Sequence, residues 1–305
     1  MRGVQTYSCN DCGKKWSGGR REKTTFEKEV WGQYVFNKQT LRELGERYNK
    51  DRRTLRDLLD KYQPPQKTHR PRELHLVVDA TYWGERLEQT SWCSVVARDP
   101  YQSEDLWWSF EHTETTSVYL RCRLELEALG YKIHSVTGDG FSGLRKGFWG
   151  IPFQMCLVHM ERIVIRGTTM KPELEAGEVL LAMVRSVYNT DLVTFEQRLS
   201  QYIERFRPFL NERTVHPVSG RWSYTHEDLR AALNSLISFR KLLFTFEQNK
   251  NIPKTTNSLE GHFRHINEIL AVHCGLERTH KEKVLHSIFL AGTIAPSKKR
   301  LDEIL

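Results

Sequence analysis

The stretch Leu74–Asp79, with the sequence LHLVVD, decides the fold, because it is a short β-rich run that ends on an acidic residue. Two more β-rich runs follow at Ser91–Ala97 and Leu106–Phe110. Their short separation predicts an antiparallel meander of three strands. Asp79 is therefore expected at the end of the first strand.

A helix and two further strands are predicted after the meander. Apolar residues at helical spacing predict a helix over Val118–Leu129, with Gly130 as its stop. Lys132–Thr137 predicts a fourth strand that delivers Asp139 at its end, and Ile151–Val158 resembles a fifth. Three strands, a helix, a strand, a helix and a strand is the order of an α/β ribonuclease-H-like core.

The aspartates at these two strand ends, Asp79 and Asp139, predict a metal site. Ends of neighbouring strands lie close together, and carboxylates that close repel unless cations neutralise them. Hard oxygen ligands favour Mg²⁺ or Mn²⁺. Two such ions would activate an attacking oxygen and stabilise a leaving oxygen in phosphoryl transfer. A single aspartate at a strand end is often only a turn or cap residue, so the prediction depends on the ordered pair.

A long helical region, roughly Glu173–Phe246, interrupts the predicted core. Its clear segments are Leu174–Tyr188, Leu192–Phe209 and His226–Phe246. Their periodic apolar faces indicate core packing, so we expect an all-α insertion.

A third acidic candidate follows the insertion. The core resumes after residue 251 with a helix that places Glu260 in its first turns. A glutamate there can reach back to metals on the sheet, although the same position suits a carboxylate that only complements the helix dipole. Glu268 and Glu277 are rivals for the same role.

Basic charge is concentrated in the first 72 residues, which hold 18 Lys and Arg against 9 Asp and Glu. The formal net charge of the whole chain is +8, so the remainder is close to neutral. A local excess of this size favours a nucleic-acid partner over a merely solvated basic face.

Amphipathic segments in the basic region predict a helix-turn-helix. Thr25–Phe36 and the run from Leu41 to Tyr48 predict helices, and Asp51 is expected to cap a further helix. The inward residues of that last helix are Leu55, Leu58 and Leu59, and its outward residues are Arg52, Arg53 and Arg56. The three arginines would meet bases or phosphates in a major groove. An ordinary helical hairpin is the alternative.

A cysteine pair, Cys9 and Cys12 followed by Gly13, has the spacing of a zinc knuckle. Structural Zn²⁺ needs four ligands and only these two have suitable spacing, so a partial zinc ribbon with an incomplete site is predicted. The six cysteines are too sparse for a disulfide framework and no apolar run is long enough to span a bilayer. We therefore expect a soluble, cytoplasmic protein with reduced thiols and no membrane partner, and the predicted nucleic-acid partner would make it nucleoid-associated.

Four short motifs follow one another along the chain, and they are Val77–Asp79, Thr137–Gly140, Cys156–His159 and Thr256–Glu260. Together they resemble the Mutator-like superfamily of DDE transposases, which includes bacterial insertion-sequence members. The resemblance covers about Leu74 to Leu290. It implies that Asp79, Asp139 and Glu260 are the catalytic metal ligands. Cys156 and His159 match the family's Cys-or-Asp, two residues, His motif, and the helical insertion matches as well.

The resemblance implies strand cleavage at transposon ends by water, followed by attack of the freed 3′-hydroxyl on target DNA. The partners would be terminal inverted repeats, target DNA and a second copy of the chain, in a homodimer or higher assembly. His159 would orient a catalytic carboxylate or contact the scissile phosphate. Cys156 would pack beneath the site.

Further side chains are candidates for holding DNA. Around Glu260 these are Lys254, His262, Arg264 and His265. Trp149 and Trp222 are candidates for stacking on an unpaired base, although burial in a core is the more common fate of such aromatics.

The predicted domain boundaries follow from these segments. They are 1–22 for the knuckle, 23–63 for the helix-turn-helix, 64–72 for a linker, 73–165 for the first part of the core, 166–251 for the insertion and 252–305 for core completion with a C-terminal helix. Two other functions fit the same sequence, namely a ribonuclease-H-like nuclease and a catalytically inactive DNA-binding regulator derived from a transposase.

Overall fold

A computed structural model describes residues 6–17, 19–84 and 90–305 of the chain. The elements in chain order are β1 (Thr6–Ser8), β2 (Lys15–Ser17), α1 (Gly19–Val35), α2 (Leu41–Tyr48), α3 (Arg52–Lys61), β3 (Glu73–Trp83), β4 (Trp92–Asp99), β5 (Glu104–Glu111), α4 (Thr116–Ala128), β6 (Lys132–Gly138), α5 (Ser142–Gly147), β7 (Phe153–Met155), α6 (Leu157–Thr168), α7 (Glu175–Ser186), α8 (Leu192–Leu210), β8 (Arg213–Val215), β9 (Trp222–Tyr224), α9 (Glu227–Phe239), α10 (Asn257–Val272), α11 (Arg278–Ala291) and α12 (Lys298–Ile304). Among the helices so described, none is long and apolar enough to cross a membrane.

The chain divides into two units, one of Met1–Thr68 with His262–Leu305 and one of His69–Gly261. This division differs from the predicted one, in which residues 252–305 completed the catalytic core. The C-terminal helices belong with the N-terminal ones because their side chains bond to each other. Trp31 Nε1 donates to Ser287 Oγ at 3.0 Å, for example, across 256 positions of sequence.

The first unit contains the helices predicted as a helix-turn-helix. Thr40 and Glu43 form a reciprocal cap at the start of α2, and the Asp51 carboxylate accepts from the backbone N–H of Thr54 at 2.9 Å at the start of α3. The inner face of α3 is buried through Leu55 and Leu59, while Arg52, Arg53 and Arg56 are exposed as predicted. Helix α1 begins at Gly19 rather than at Thr25.

Three histidines of the first unit are packed among its helices. The His273 ring stacks on Tyr34 with centroids 4.0 Å apart, and His286 Nε2 lies 3.2 Å from the carbonyl oxygen of Pro65. His280 lies between the Trp31 and Tyr34 rings. Burial lowers the pKa of all three imidazoles, because a charged ring loses its hydration there.

These histidines predict that the first unit loses stability in mild acid. Each folded-state pKa lies below the ordinary value of about 6.5, so the unfolded chain binds protons more readily. The stabilisation is complete above that pH and is lost as pH falls towards 5. We expect a melting temperature several degrees lower at about pH 5 than at about pH 7.5, and a smaller drop in His273→Gln. A pH-independent melting temperature for this unit would contradict the prediction.

A five-stranded mixed sheet forms the centre of the second unit, with the strand order β5-β4-β3-β6-β7. β3 and β4 pair antiparallel from Val77 to Trp83, as do β4 and β5, whereas β6 runs parallel to both β3 and β7. The predicted meander of three strands is therefore present. β4 is buried along its whole length, and α4 and β5 share an apolar cluster with it through Val95, Leu106 and Tyr119.

The first strand is longer than predicted. β3 does not end at Asp79 but continues to Trp83, because its last residues pair with β4 and Trp83 Nε1 donates to Ser94 Oγ at 2.7 Å. The parallel pairing with β6, in contrast, ends at Val77. Asp79 therefore lies two residues beyond that pairing.

The fifth strand is shorter than the predicted Ile151–Val158. β7 comprises only Phe153–Met155, and α6 begins at Leu157 with Cys156 as its N-cap. The N–H of Cys156 donates to the carbonyl of Gly138 at 2.8 Å, after which the chain turns into the helix. His159 is therefore in the first turn of a helix, with its position fixed against the end of β6.

The insertion is not all-α as predicted, because an antiparallel hairpin of β8 and β9 joins α8 to α9. The Arg213 guanidinium stacks over the Trp222 ring at 4.0 Å, which holds the two strands together at the surface. Trp222 is 52% exposed and Trp149 is 81% exposed, so neither is the core residue that its type favours. The helices themselves share an apolar core that includes Leu180, Phe195 and Leu236.

Candidate active site

Asp79 lies in β3 where its β6 pairing has ended, and its Oδ1 accepts from the backbone N–H of Ala80 at 2.9 Å. Burial raises the pKa of Asp79 to about 8, and the negative charges of Asp139, Glu260 and Glu114 add to the rise. Ionisation of a carboxyl group in this setting costs free energy unless a cation is near. The predicted acidic residues therefore act on one another electrostatically at this position.

Asp139 follows directly after β6, as predicted. Its Oδ1 accepts from the backbone N–H of Phe141 at 2.9 Å, which orients the carboxylate at the start of the turn into α5. Gly140 has a φ of 86°, and a Cβ there would lie 2.6 Å from the sulfur of Met155. Glycine is therefore required next to Asp139, both for its backbone angle and for its small size.

Glu260 lies in the first turn of α10, and the segment before that helix is bonded to the sheet and to α6. Thr137 Oγ1 donates to the carbonyl of Pro253 at 2.7 Å, and the N–H of Leu157 donates to the carbonyl of Lys254 at 3.0 Å. These two bonds bring the helix start beside the ends of β6 and β7. The sequence motif thus acquires its position from contacts with residues about a hundred positions away.

The Glu260 carboxylate has two partners. Arg162 Nη2 donates to Oε2 at 2.5 Å, and Thr256 Oγ1 donates to Oε1 at 3.1 Å. The bond to Glu260 raises the pKa of Arg162. The third predicted acid is therefore oriented by two side chains, one of them the cationic guanidinium of Arg162.

Thr256 is the centre of a hydrogen-bonded cluster, and its side chain is fully buried. Its hydroxyl lies 3.4 Å from Cys156 Sγ, 3.4 Å from His159 Nδ1 and 3.1 Å from Glu260 Oε1. Burial raises the pKa of the Cys156 thiol and lowers the pKa of His159. A protonated thiol and a neutral ring with hydrogen on Nδ1 can both donate to the hydroxyl, which then donates to Glu260. This tautomer, assigned from the network, leaves His159 Nε2 as an acceptor.

The ligand atoms of Cys156, His159 and Glu260 all lie within 4.8 Å of one another, the single such group of three in the described part of the chain. Thr256 joins the same three residues by hydrogen bonds, so they form a connected cluster without an ion. Asp79, Asp139 and Glu260 do not form a group that tight among the described residues. They share an electrostatic field rather than one coordination shell.

Four residues of this neighbourhood were not predicted as site residues: Glu114, Tyr119, Arg162 and Thr256, although Thr256 lies in a quoted motif. Tyr119 donates from its hydroxyl to Glu114, whose charge raises the pKa of Asp79. Arg162 stands three positions after His159, a spacing that places both on one helix face. That signal was hidden because the run before His159 has the composition of a strand.

The predicted DNA-holding residues fall in different settings. Lys254 donates to the carbonyl of Tyr188 at 3.3 Å and lies 4.2 Å from the Phe246 ring centre, so its charge is engaged inside the second unit. His262 is buried beside Phe289 in the first unit, which does not suit a backbone contact. Arg264 and His265 are exposed on the same helix.

The rival acids belong to the first unit. Glu268 is 3.7 Å from Lys38 Nζ and 3.6 Å from His265 Nδ1, and Glu277 is the N-cap of α11. Glu260, not Glu268, contributes to the pKa of Asp79. Glu260 is therefore the one of these candidates that acts electrostatically on Asp79, and its role as the third acid stays a prediction.

The cysteine pair forms a hairpin turn between β1 and β2. The N–H of Gly13 donates to the carbonyl of Cys9 at 3.0 Å, and Gly13 has a φ of 69°. Hydrogen bonds from the backbone of Cys12 and Asp11 lower the pKa of Cys9. Within the described ranges, Cys9 and Cys12 are not part of any group of three metal ligands. Every cysteine of the chain is a free thiol.

Comparisons with known proteins add little. No protein-family model matches the chain, and no curated protein matches it. Nine chains of solved structures match. One is from the cryoEM structure of the simian T-cell lymphotropic virus intasome in complex with PP2A regulatory subunit B56 gamma, at 13% identity over 66% of this chain and 73% of that chain, with a TM-score of 0.21. A similarity at that TM-score carries no argument.

Proposed function

We propose that this chain is a DNA transposase that uses Asp79, Asp139 and Glu260 for metal-dependent phosphoryl transfer. One observation carries the proposal: Asp79, within the central strand, has a pKa raised by burial and by the charges of Asp139 and Glu260. Functional sites concentrate shifts of this kind, because the same charges that repel one another recruit a cation. The order of the four sequence motifs supports the same function.

The strand order supports a ribonuclease-H-like core for the second unit. Three antiparallel strands are followed by a helix and two parallel strands, with β3 in the centre. Asp79 stands on that central strand and Asp139 follows its parallel neighbour β6. Glu260 arrives on a helix after the insertion. This is the arrangement in which the family resemblance expects its three acids.

By residue type, the three proposed acids suit Mg²⁺ or Mn²⁺. Asp79, Asp139 and Glu260 offer carboxylate oxygens, which hard cations prefer, and the raised pKa of Asp79 is the sign of a carboxylate without its counter-charge. When bound, two such ions would stabilise charge on the attacking and leaving oxygens at phosphorus. Cys156 is a poor ligand for these ions, since its thiol is protonated and enclosed. We propose no bound Zn²⁺ for the incomplete pair Cys9 and Cys12.

The side chains around the acids would orient and polarise the site. Thr256 and Arg162 hold the two oxygens of Glu260, so its carboxylate is presented in one orientation. His159, neutral and bonded through Nδ1, has Nε2 open to accept a proton or a hydrogen bond. Asp139 is fixed by the N–H of Phe141. These contacts reduce the reorganisation that the acids need before reaction.

The first unit would bind the transposon ends. Its α2 and α3 are joined by a short turn in which Asn49 has a left-handed φ of 49°. Arg52, Arg53 and Arg56 are exposed on α3, which supports a helix-turn-helix that enters a major groove. Synapsis of two ends requires a homodimer or a higher assembly, and target DNA would be the second substrate.

The proposal is tested by incubating the purified chain with labelled duplexes taken from the DNA that flanks its gene. Cleavage at one border of an inverted repeat, in Mg²⁺ or Mn²⁺ and not in chelator, is the expected result. Cleavage at no preferred position would indicate a nuclease. Binding without cleavage in either metal would indicate an inactive regulator and overturn the proposal.

Thr256 provides a prediction about how the third acid is oriented. Thr256→Val keeps the size of the side chain but removes the hydroxyl between Cys156, His159 and Glu260. Losing a residue that orients a metal ligand costs about tenfold to hundredfold in metal affinity or rate. We expect that loss in Mn²⁺ titrations and in cleavage, with the fold intact by circular dichroism. Thr256→Ser keeps the hydroxyl and should behave as the parent, whereas parent-like metal affinity in the valine variant would refute the role.

A further inference from the structure

Helix α6 carries a basic ridge, which consists of Arg162 and Arg166, on the face that presents His159 to the acids. The three residues are separated by three and four positions, so they lie along one side of the helix. The opposite side packs into the unit through Met160 and Val164, which are both fully buried. The amphipathic pattern therefore fixes the ridge outward.

The ridge adjoins the carboxylates. Arg162 Nη2 is 2.5 Å from Glu260 Oε2, and its guanidinium also lies within the electrostatic range of Asp79. Arg166 follows one turn later, and its Nε donates to the backbone carbonyl of Arg162 at 3.4 Å. Both arginines act on the charge of His159. The positive side chains thus border the acidic site directly.

Both arginines have charge to offer a ligand. Arg162 is 51% exposed despite its bond to Glu260. Arg166 is exposed, and no acidic side chain in the described part of the chain pairs with it. The neighbouring acid on the same helix, Glu161, is engaged by Arg185 at 2.7 Å. The ridge therefore keeps a net positive charge at the border of the site.

Binding of a polyanion at this acidic site requires positive side chains next to the acids. A phosphodiester that approaches Asp79, Asp139 and Glu260 is repelled by them, and arginines beside the acids offset that repulsion. A planar guanidinium can also bond two phosphate oxygens at once.

We propose that Arg162 and Arg166 form the phosphate-binding ridge of this site, which grips the backbone of duplex DNA on one side of the scissile bond. The inference rests on the proposed function and names the residues that hold its substrate. Arg162 has a second task, because it orients Glu260, whereas Arg166 contacts no predicted metal ligand by a hydrogen bond or ion pair. Arg166 is therefore the residue that isolates phosphate binding.

The test measures binding of the full-length chain to a labelled duplex as a function of salt, for the parent and for Arg166→Gln. Each phosphate contact contributes about 0.9 to the slope of log affinity against log salt. We expect the slope to fall by about one in Arg166→Gln and to recover in Arg166→Lys. When salt is raised from about 50 to about 200 mM, the affinity of each protein for the duplex falls by some factor. That factor should be roughly threefold smaller for the glutamine variant than for the parent.

Arg207 supplies the matched control, because it is an exposed arginine of α8 in the same unit without an acidic partner among the described residues. Arg207→Gln should leave the slope unchanged. An unchanged slope in Arg166→Gln, or an equal fall in both variants, overturns the ridge while metal-dependent cleavage by the parent still upholds the proposed function. A parent chain that neither binds nor cleaves duplex DNA overturns both.

Discussion

Replacing Glu260 by glutamine is expected to abolish metal-dependent DNA cleavage, with a loss of roughly a thousandfold or more. The reason is that a neutral amide does not balance the positive charge of a divalent cation as a carboxylate does. The fold should survive. The Arg162 side chain is 51% exposed, so its pair with Glu260 is partly solvated and losing the charge of Glu260 costs little stability. Binding of transposon ends, assigned to the first unit, should also persist.

Glu268→Gln is the matched control for this result, since both changes remove one carboxylate from the same helix. In the described part of the chain Glu268 pairs with Lys38 and His265, both in the first unit, so its loss should leave cleavage at the parent rate. Measured single-turnover rates in Mn²⁺ would separate the two variants. Normal cleavage by Glu260→Gln together with loss in Glu268→Gln would transfer the third acid to Glu268.

Asp79→Asn is expected to make the metal-free protein more stable while it eliminates cleavage. The pKa of Asp79 is raised to about 8 in the folded chain, so ionisation of this carboxyl opposes folding. Stability is lost as pH rises from about 4, the ordinary pKa of an aspartate, to about 8. Asparagine has no charge to lose or gain. Its advantage in melting temperature should therefore widen between about pH 5 and about pH 8.

Adding metal is expected to reverse the order of the melting temperatures of the parent and Asp79→Asn. Mn²⁺ that binds only the folded parent should raise its melting temperature, whereas Asp79→Asn should gain much less. Asp228→Asn, an exposed aspartate of α9 in the same unit, should show neither the pH-dependent gain nor the loss of the Mn²⁺ effect. An Asp79→Asn variant that melts no higher at any pH, or that responds fully to Mn²⁺, would contradict this electrostatic description.

Much of the second unit could be predicted from local sequence. Short β-rich runs predicted five strands in the right order, and helical spacing predicted α4, which ends at Ala128, one residue before the predicted end and two before Gly130. Asp139 directly after β6 was predicted for the same reason, since the apolar run before it is short and clearly bounded. These features depend on neighbours in sequence, which is the information that a pattern contains.

The errors occurred where distant partners decide the structure. β3 continues past Asp79 because Trp83 and the residues before it pair with β4. The apolar run that ends at Val158 is equally compatible with strand and helix, and only its contact with Gly138 begins the helix at Leu157. The C-terminal helices joined the first unit through side-chain bonds such as that of Trp31 with Ser287. No local pattern contains that information.

The candidate site shows the same contrast between features that depend on local sequence and features that depend on distant contacts. Its three acids were predicted from residue type and order, whereas the residues that contact them were not. Thr256 lies inside a recognised motif, but its role depends on Cys156 and His159, about a hundred positions earlier. Arg162 could be recognised as a neighbour of the site only from the structure, which places it in the same helix as His159. The chemistry inferred from residue types stays a prediction, whereas the contacts that Thr256 and Arg162 make with Glu260 are found only in the tertiary structure.

Strand transfer tests the central claim most directly. Labelled duplexes with a free 3′-hydroxyl at a transposon end would be incubated with the chain, a divalent metal and a supercoiled plasmid, and the products separated by size. We predict label joined to the plasmid in Mg²⁺ or Mn²⁺ with the parent chain and with Glu268→Gln, and none with Glu260→Gln or Asp79→Asn. Plasmid that is never joined to the labelled ends, under conditions in which the chain is folded and binds them, would contradict the account.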